Sequence, residues 1–152
     1  MKRIILSVAA VIAVATATVS CNSDDNNTTE TIIQEAELPV QAKSFIDSYF
    51  GGYTVLRIER DTRSVEEYYE VHLTDGTQID FDKEGIWTEV DGNGRAIPTG
   101  FINPQIVAYI TANHPTTSVE SIGKEVYGFD VDLLNNLDLR FNGNGDFLGM
   151  EN

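Results

Sequence analysis

Cysteine occurs once, tryptophan once and histidine twice in the 152 residues. One cysteine makes neither an internal disulfide nor a four-thiolate zinc site. Two histidines are too few for a His-based metal centre or a choice of nucleophile–base pairs. Positive charge is scarce too: ten Lys and Arg face 24 Asp and Glu, a formal net charge of −14. That balance excludes nucleic acid as a partner, because such binding needs cations to displace phosphate counterions, and it disfavours adhesion to anionic lipid. The His-Glu-x-x-His, Gly-x-Ser-x-Gly, phosphate-loop and dinucleotide patterns are all missing. Acids are abundant, but abundant acids mostly coat a solvated surface, so the sequence is expected to encode a protein that is not an enzyme. With 41% hydrophobic residues the length fits one globular domain.

Lys2 and Arg3 precede an unbroken stretch without charge from Ile4 to Val19, ending at Ser20-Cys21. A basic start, an apolar stretch and a small residue at the break read as a secretory signal over residues 1–20. The stretch is short for a membrane span, which needs about 20 residues. Thr18-Val19-Ser20-Cys21 resembles a bacterial lipobox, with Thr18 where leucine is usual. The resemblance implies that Cys21 is lipidated and becomes the first residue of the mature chain. An ordinary signal peptide followed by a free thiol is the alternative. The acidic Ser23-Asp24-Asp25 resembles the surface-export signal of Bacteroidetes lipoproteins. Residues 21–37 are expected to be a flexible tether, because their first half is polar and aperiodic. The implied location is the outer membrane, on its periplasmic or exterior side, with membrane contact through the lipid alone.

From residue 38 onward the chain repeats itself. Gln41 to Ile46 matches Gln105 to Ile110 at an offset of 64 residues, and Tyr69 to Leu73 matches Phe129 to Leu133 at an offset of 60. Phe81 to Trp87 matches Phe141 to Phe147 at the same offset of 60. The change in offset implies a longer loop in the first copy, around Asp61 to Glu67. Residues 38–91 and 98–152 are therefore expected as two copies within one domain spanning 38–152. Apolar positions Val40, Phe45, Ile46 and Tyr49 predict a helix over 39–50, bounded by Pro39 and Gly51-Gly52. Asn103-Pro104 and Pro115 bound a second helix over 103–113. Alternation predicts strands near 53–60, 67–74, 77–82 and 86–90, with a hairpin turn at Asp75-Gly76. The fold expected is α+β: two helix-plus-four-strand antiparallel meanders, giving about eight strands with both helices on one face.

Such a sheet leaves its other face open. If Tyr69, Val71, Leu73, Ile79 and Phe81 point to the helices, then Tyr68, Glu70, His72, Gln78 and Asp80 point away. Asp130, Asp132, Asp138 and Arg140 are the equivalents in the second copy. Trp87 has two readings: its match to Phe147 suggests the core, whereas an exposed Trp amid polar groups would anchor a protein interface. The candidate binding face is thus Tyr68, Glu70, His72, Trp87, Asp130, Asp132 and Arg140. His114, at a helix exit before Pro115, is read as a loop residue.

One spacing suggests a cofactor. Asp80-x-Asp82-x-Glu84-Gly85, followed by Asp91, places acids at positions 1, 3, 5 and 12 with Gly at 6, as in a calcium loop. Against calcium, the segment reads as a strand–turn–strand, and the matching Arg140-x-Asn142-x-Asn144-Gly145 keeps the turn without the charges.

The tandem pattern carried by Leu38-Pro39, Phe45-Ile46, Tyr69-Glu70-Val71, Asp75-Gly76, Ile79 to Asp82 and Gly85-Ile86-Trp87 resembles the PepSY-like, β-lactamase-inhibitor-protein-like family of secreted Bacteroidetes proteins. Asn135-Asn136 and Phe147 depart from it in the second copy. The resemblance implies a non-catalytic periplasmic or surface module that binds or inhibits a protein partner. Calcium response, or carbohydrate binding on Trp87 and Tyr68, is the alternative.

Overall fold

Pro39 and Asn103 each start a helix that the sheet then needs. The computed structural model describes residues 30–151. Its elements run β1 (Glu30–Ile32), a 3₁₀ turn (Glu35–Glu37), α1 (Val40–Phe50), β2 (Val55–Asp61), β3 (Tyr69–Leu73), β4 (Gln78–Phe81), β5 (Trp87–Asp91), α2 (Pro104–Asn113), β6 (Val119–Glu125), β7 (Gly128–Leu133), β8 (Leu137–Asn142) and β9 (Phe147–Glu151). The fold is α+β. All nine strands form one antiparallel sheet in sequence order.

The expected helices and strands lie within about two residues of their predicted ends, as strong periodicity allows. Residues 30–37 differ. Their sequence predicts tether, yet Glu30–Ile32 pairs with β2 as a ninth strand, and Ile33 is buried with its N–H donated to the Ile58 carbonyl at 3.0 Å. Ile33 anchors the segment in the core, and the pairing covers the β2 edge, which would otherwise expose unpaired backbone groups. The signal segment and Cys21 lie outside the described residues.

The helix-side face of the sheet is one continuous apolar row. Ile58, Val71, Ile79, Val90, Ile122, Val131 and Leu139 occupy matching register positions on seven successive strands, and all are buried. Onto this row α1 lays Ala42, Ile46 and Phe50, spaced by four residues, while α2 lays Ile106 and Ile110. Val40 and Tyr49, expected on the apolar face of α1, are exposed instead; the i, i+4, i+8 stripe of Ala42 is what meets the sheet. Asn103 caps α2, its side chain accepting from the Gln105 N–H at 3.0 Å, and Pro104 occupies the first turn.

The β4–β5 turn shows how closely helix and sheet approach. Gly85 has φ +84°, and a Cβ there would lie 2.6 Å from Cβ of Pro39. The β8–β9 turn does the same under α2: Gly145 has φ +92°, and a Cβ would lie 2.9 Å from Asn103 Nδ2. Glycine is required at both sites by handedness and by space. The register slips also correspond, falling between Val55/Arg57 and Val119/Ser121, and between Asp80/Phe81 and Arg140/Phe141.

Candidate functional site

Because alternate residues on a strand face opposite ways, the neighbours of the apolar row define the uncovered face. One line across it reads Glu59, Glu70, Asp80, Glu89, Gly123, Asp130, Arg140. The next reads Arg57, His72, Gln78, Asp91, Ser121, Asp132, Asp138. Six strands contribute acids to this surface, and two arginines and one histidine answer them. Glu70, His72, Asp130, Asp132 and Arg140 therefore share the face on which alternation places them.

Trp87 does not share it. Its ring lies 5.3 Å from that of Phe101 and stacks on Phe45 at 6.2 Å, with Lys124 Nζ 4.1 Å from its centroid. Strict alternation back from buried Val90 would turn Trp87 outward; the bulge at Thr88 shifts the parity and turns it under the helices. Trp87 is half-buried among these rings on the helix side of the sheet, away from the open face. Tyr68 is half-buried at the end of β3, its ring 4.9 Å from that of Tyr69, and it packs against the core. The open face is therefore dominated by charged side chains, with neither Trp87 nor Tyr68 standing free on it.

Three groupings give this charge structure. Around His72, Nε2 lies 2.8 Å from Glu70 Oε1 and 3.5 Å from Glu59 Oε2, and Arg57 reaches both Glu59 (3.2 Å) and His72 Nε2 (3.1 Å). At the far side, Tyr127 donates to Asp130 Oδ1 at 2.5 Å, and Arg140 lies over the Tyr127 ring with its Nε 3.6 Å from Asp130. That hydrogen bond, the largest influence on it, pushes the Tyr127 hydroxyl up to about 12. Between them, Glu67, Asp80 and Glu89 bring a carboxylate oxygen each within 4.8 Å of one another. Asp80 is only 5% exposed. Burial, then the charges of Glu70 and Glu89, raise its carboxyl to about 7. Burial first and neighbouring acids second also raise Glu89. Asp132, which accepts from Ser121 Oγ, is raised by burial above all and by Asp138 and Asp130.

The calcium-loop spacing is resolved differently. Asp82 Oδ1 accepts the Glu84 and Ile86 N–H groups at 3.0 and 2.8 Å, which closes the β4–β5 turn. Asn142 Oδ1 does the same for Asn144 and Asp146 at 3.0 and 2.9 Å. Glu84 points to Lys83, and Asp91 accepts from the Asn93 N–H. Among the described residues the acids that converge on Asp80 are Glu67 and Glu89, rather than Asp82, Glu84 and Asp91. Sequence reasoning misses Glu67, Glu89 and Tyr127. Projecting strict pairing across the Gly85 hairpin would set Thr88 opposite Asp80; the bulge at Thr88 is what brings Glu89 there, and no sequence signal marks Tyr127.

Residues 67–149 match the family described as "putative beta-lactamase-inhibitor-like, PepSY-like". Comparison with curated protein sequences finds no match. Among solved structures, the chain is similar to a "putative calcium-regulated periplasmic protein" of Bacteroides thetaiotaomicron, at 29% identity and TM-score 0.76, over 81% of this chain and 97% of that one. A "putative periplasmic protein of unknown function" from Bacteroides vulgatus matches at 27% identity and TM-score 0.72, over 81% and 99%. Another periplasmic protein of that organism matches at 27% and TM-score 0.73, over 86% and 100%. The match runs from just before β3 into β9, taking in all the open-face strands except β2, and the chain belongs to the PepSY-like, β-lactamase-inhibitor-like family.

Proposed function

We propose that the protein is a non-catalytic module of the bacterial envelope, held by a lipid on Cys21, that docks a protein partner through the open face of its sheet. Two copies of one helix-plus-four-strand unit, 38–91 and 98–152, build that face. The observation that carries this reading is the face itself: both helices pack on the other side, and Glu59, Glu70, Asp80, Glu89, Asp91, Asp130, Asp132 and Asp138 line it. Its complement is a partner with a basic patch, which gives steered and salt-sensitive association. The periplasmic names of the structural neighbours and the inhibitor-like name of the family support the location and the binding role.

A photo-reactive residue in place of Asp138 tests this in intact cells. It is expected to give a discrete protein adduct, weakened by Asp130→Lys with Asp132→Lys and by raised ionic strength. The same probe in place of Asp47, on the exposed surface of α1, is expected to give none. Equal labelling from both surfaces, or indifference to the charge reversals, overturns the reading.

A second reading, calcium response, is favoured by the name of the Bacteroides thetaiotaomicron neighbour and by the converging carboxylates around Asp80.

A further inference from the structure

We propose that Glu67, Asp80 and Glu89 form a calcium site on the open face, a set that shares only Asp80 with the calcium-loop spacing read from the sequence. The inference deepens the second reading above and rests on it.

Two independent observations point to a ligand. The first is convergence: three carboxylate oxygens from the β2–β3 loop, β4 and β5 lie within 4.8 Å of one another. Oxygens bound to a single calcium ion sit roughly 2.3–2.6 Å from it, so a common point can serve all three. The second is an orphan. Asp80 is buried, and its Oδ1 has no hydrogen-bond partner. A buried carboxylate oxygen without a donor is costly to keep, and a bound cation removes that cost.

The surroundings are arranged for entry. Gly123 faces Glu89 across the β5–β6 seam, and a side chain there would meet open space. The loop bearing Glu67 is fixed at two points: Thr88 Oγ1 donates to the Glu66 carbonyl at 2.7 Å, and the Glu67 N–H donates to Ser64 Oγ at 2.9 Å. Lys124 lies over the Trp87 ring and donates to the Trp87 carbonyl at 2.7 Å, and among the described residues no ion pair joins it to the three acids. Two exposed glutamates around one fixed aspartate give an irregular oxygen set with room for water. That suits calcium, which takes six to eight oxygens flexibly, better than magnesium, which demands a strict octahedron.

The groups facing Asp80 are Glu70 of β3, Glu89 of β5, Glu67 of the loop and the Gln78 side chain. Near pH 7 Asp80 holds a proton part of the time, so calcium must displace it.

The test is calorimetric titration of the purified protein with calcium chloride at pH 7, in two buffers of different ionisation enthalpy. One ion is expected to bind per chain with net proton release. Asp80→Asn and, separately, the exposed Glu89→Gln are each expected to weaken binding about tenfold or more, while Glu84→Gln leaves it unchanged. Unfolding in chelator shows whether each variant is folded. Undiminished binding in both variants overturns this site and leaves calcium response standing. No heat at millimolar calcium overturns the site and that reading together. Equal affinity for magnesium overturns the assignment to calcium.

Discussion

Asp80→Asn, measured without metal, tests the electrostatics of the open face most directly. In the native protein the Asp80 carboxyl titrates at about 7, against 3.8 for an ordinary aspartate, chiefly because burial penalises the charge and secondarily because Glu70 and Glu89 repel it. The folded state thus keeps its proton to higher pH than the unfolded chain does. This favours folding fully below about pH 4, fades as pH rises, and is gone above about pH 7. Holding the proton from 3.8 up to about 7 is worth about 4 kcal/mol. That is a large fraction of the roughly 5–15 kcal/mol available to a domain of this size. Urea unfolding in chelator at pH 5 and pH 8 reads the effect. The parent protein is expected to lose stability between the two, and Asp80→Asn, which never ionises, to lose distinctly less. At pH 8 the variant is expected to be the more stable of the two. The reasoning is refuted if Asp80→Asn shows the parent's full pH dependence, or if it is destabilised at pH 8. Glu89 and Asp132, also raised by burial, leave a residual slope in the variant.

Three further outcomes follow from the packing. Gly85→Ala is expected to cost about 2–4 kcal/mol, because it combines a left-handed φ with a collision against Pro39, whereas Gly94→Ala, with the same φ +84° and open space, costs about 1 kcal/mol; thermal unfolding distinguishes them. Asp82→Asn is expected to change stability by less than about 0.5 kcal/mol, since Asn142 already closes the equivalent turn with an amide oxygen; a larger loss in urea unfolding would show that the charge itself matters. Trp87→Ala is expected to cost about 2–3 kcal/mol, and the emission of this single tryptophan to resist quenching by acrylamide, because Phe45, Phe101 and Lys124 surround it; ready quenching would place it on the surface.

Much of the fold is legible in the sequence because its signals are local. Period-two alternation from Tyr69 to Leu73 turns Glu70 and His72 away from the core, and the same alternation in the second copy does so for Asp130, Asp132 and Arg140. Asp75-Gly76 and Gly85 announce hairpins through the positive φ that Gly76 and Gly85 adopt, +94° and +84°. What stays hidden depends on departures from the local rule. A bulge at Thr88 adds one residue and turns Trp87 over, which local alternation does not reveal and only the match to Phe147 hints at. Ile32-Ile33 looks like spacer until the unpaired edge of β2 exists to receive it. The Glu67–Asp80–Glu89 cluster needs a loop folded back onto β5, a contact 22 residues long in sequence between Glu66 and Thr88. Tyr68 reads as exposed by parity, yet a neighbouring ring covers it.

The strict sequence order of the nine strands carries a kinetic consequence. Most pairings join segments that follow one another closely in the chain, so closing each one costs little chain entropy and formation can spread from neighbour to neighbour. Two pairings are different: α1 intervenes between β1 and β2, where Ile32 pairs with Glu59, and α2 intervenes at the β5–β6 seam, where Val90 pairs with Ile122 and the two copies join. Assembly is therefore expected to proceed as two locally zipped halves that meet at one late step. A nick in the connection between Asp91 and Pro104 is then the place where the chain can be divided and its two halves asked to recombine.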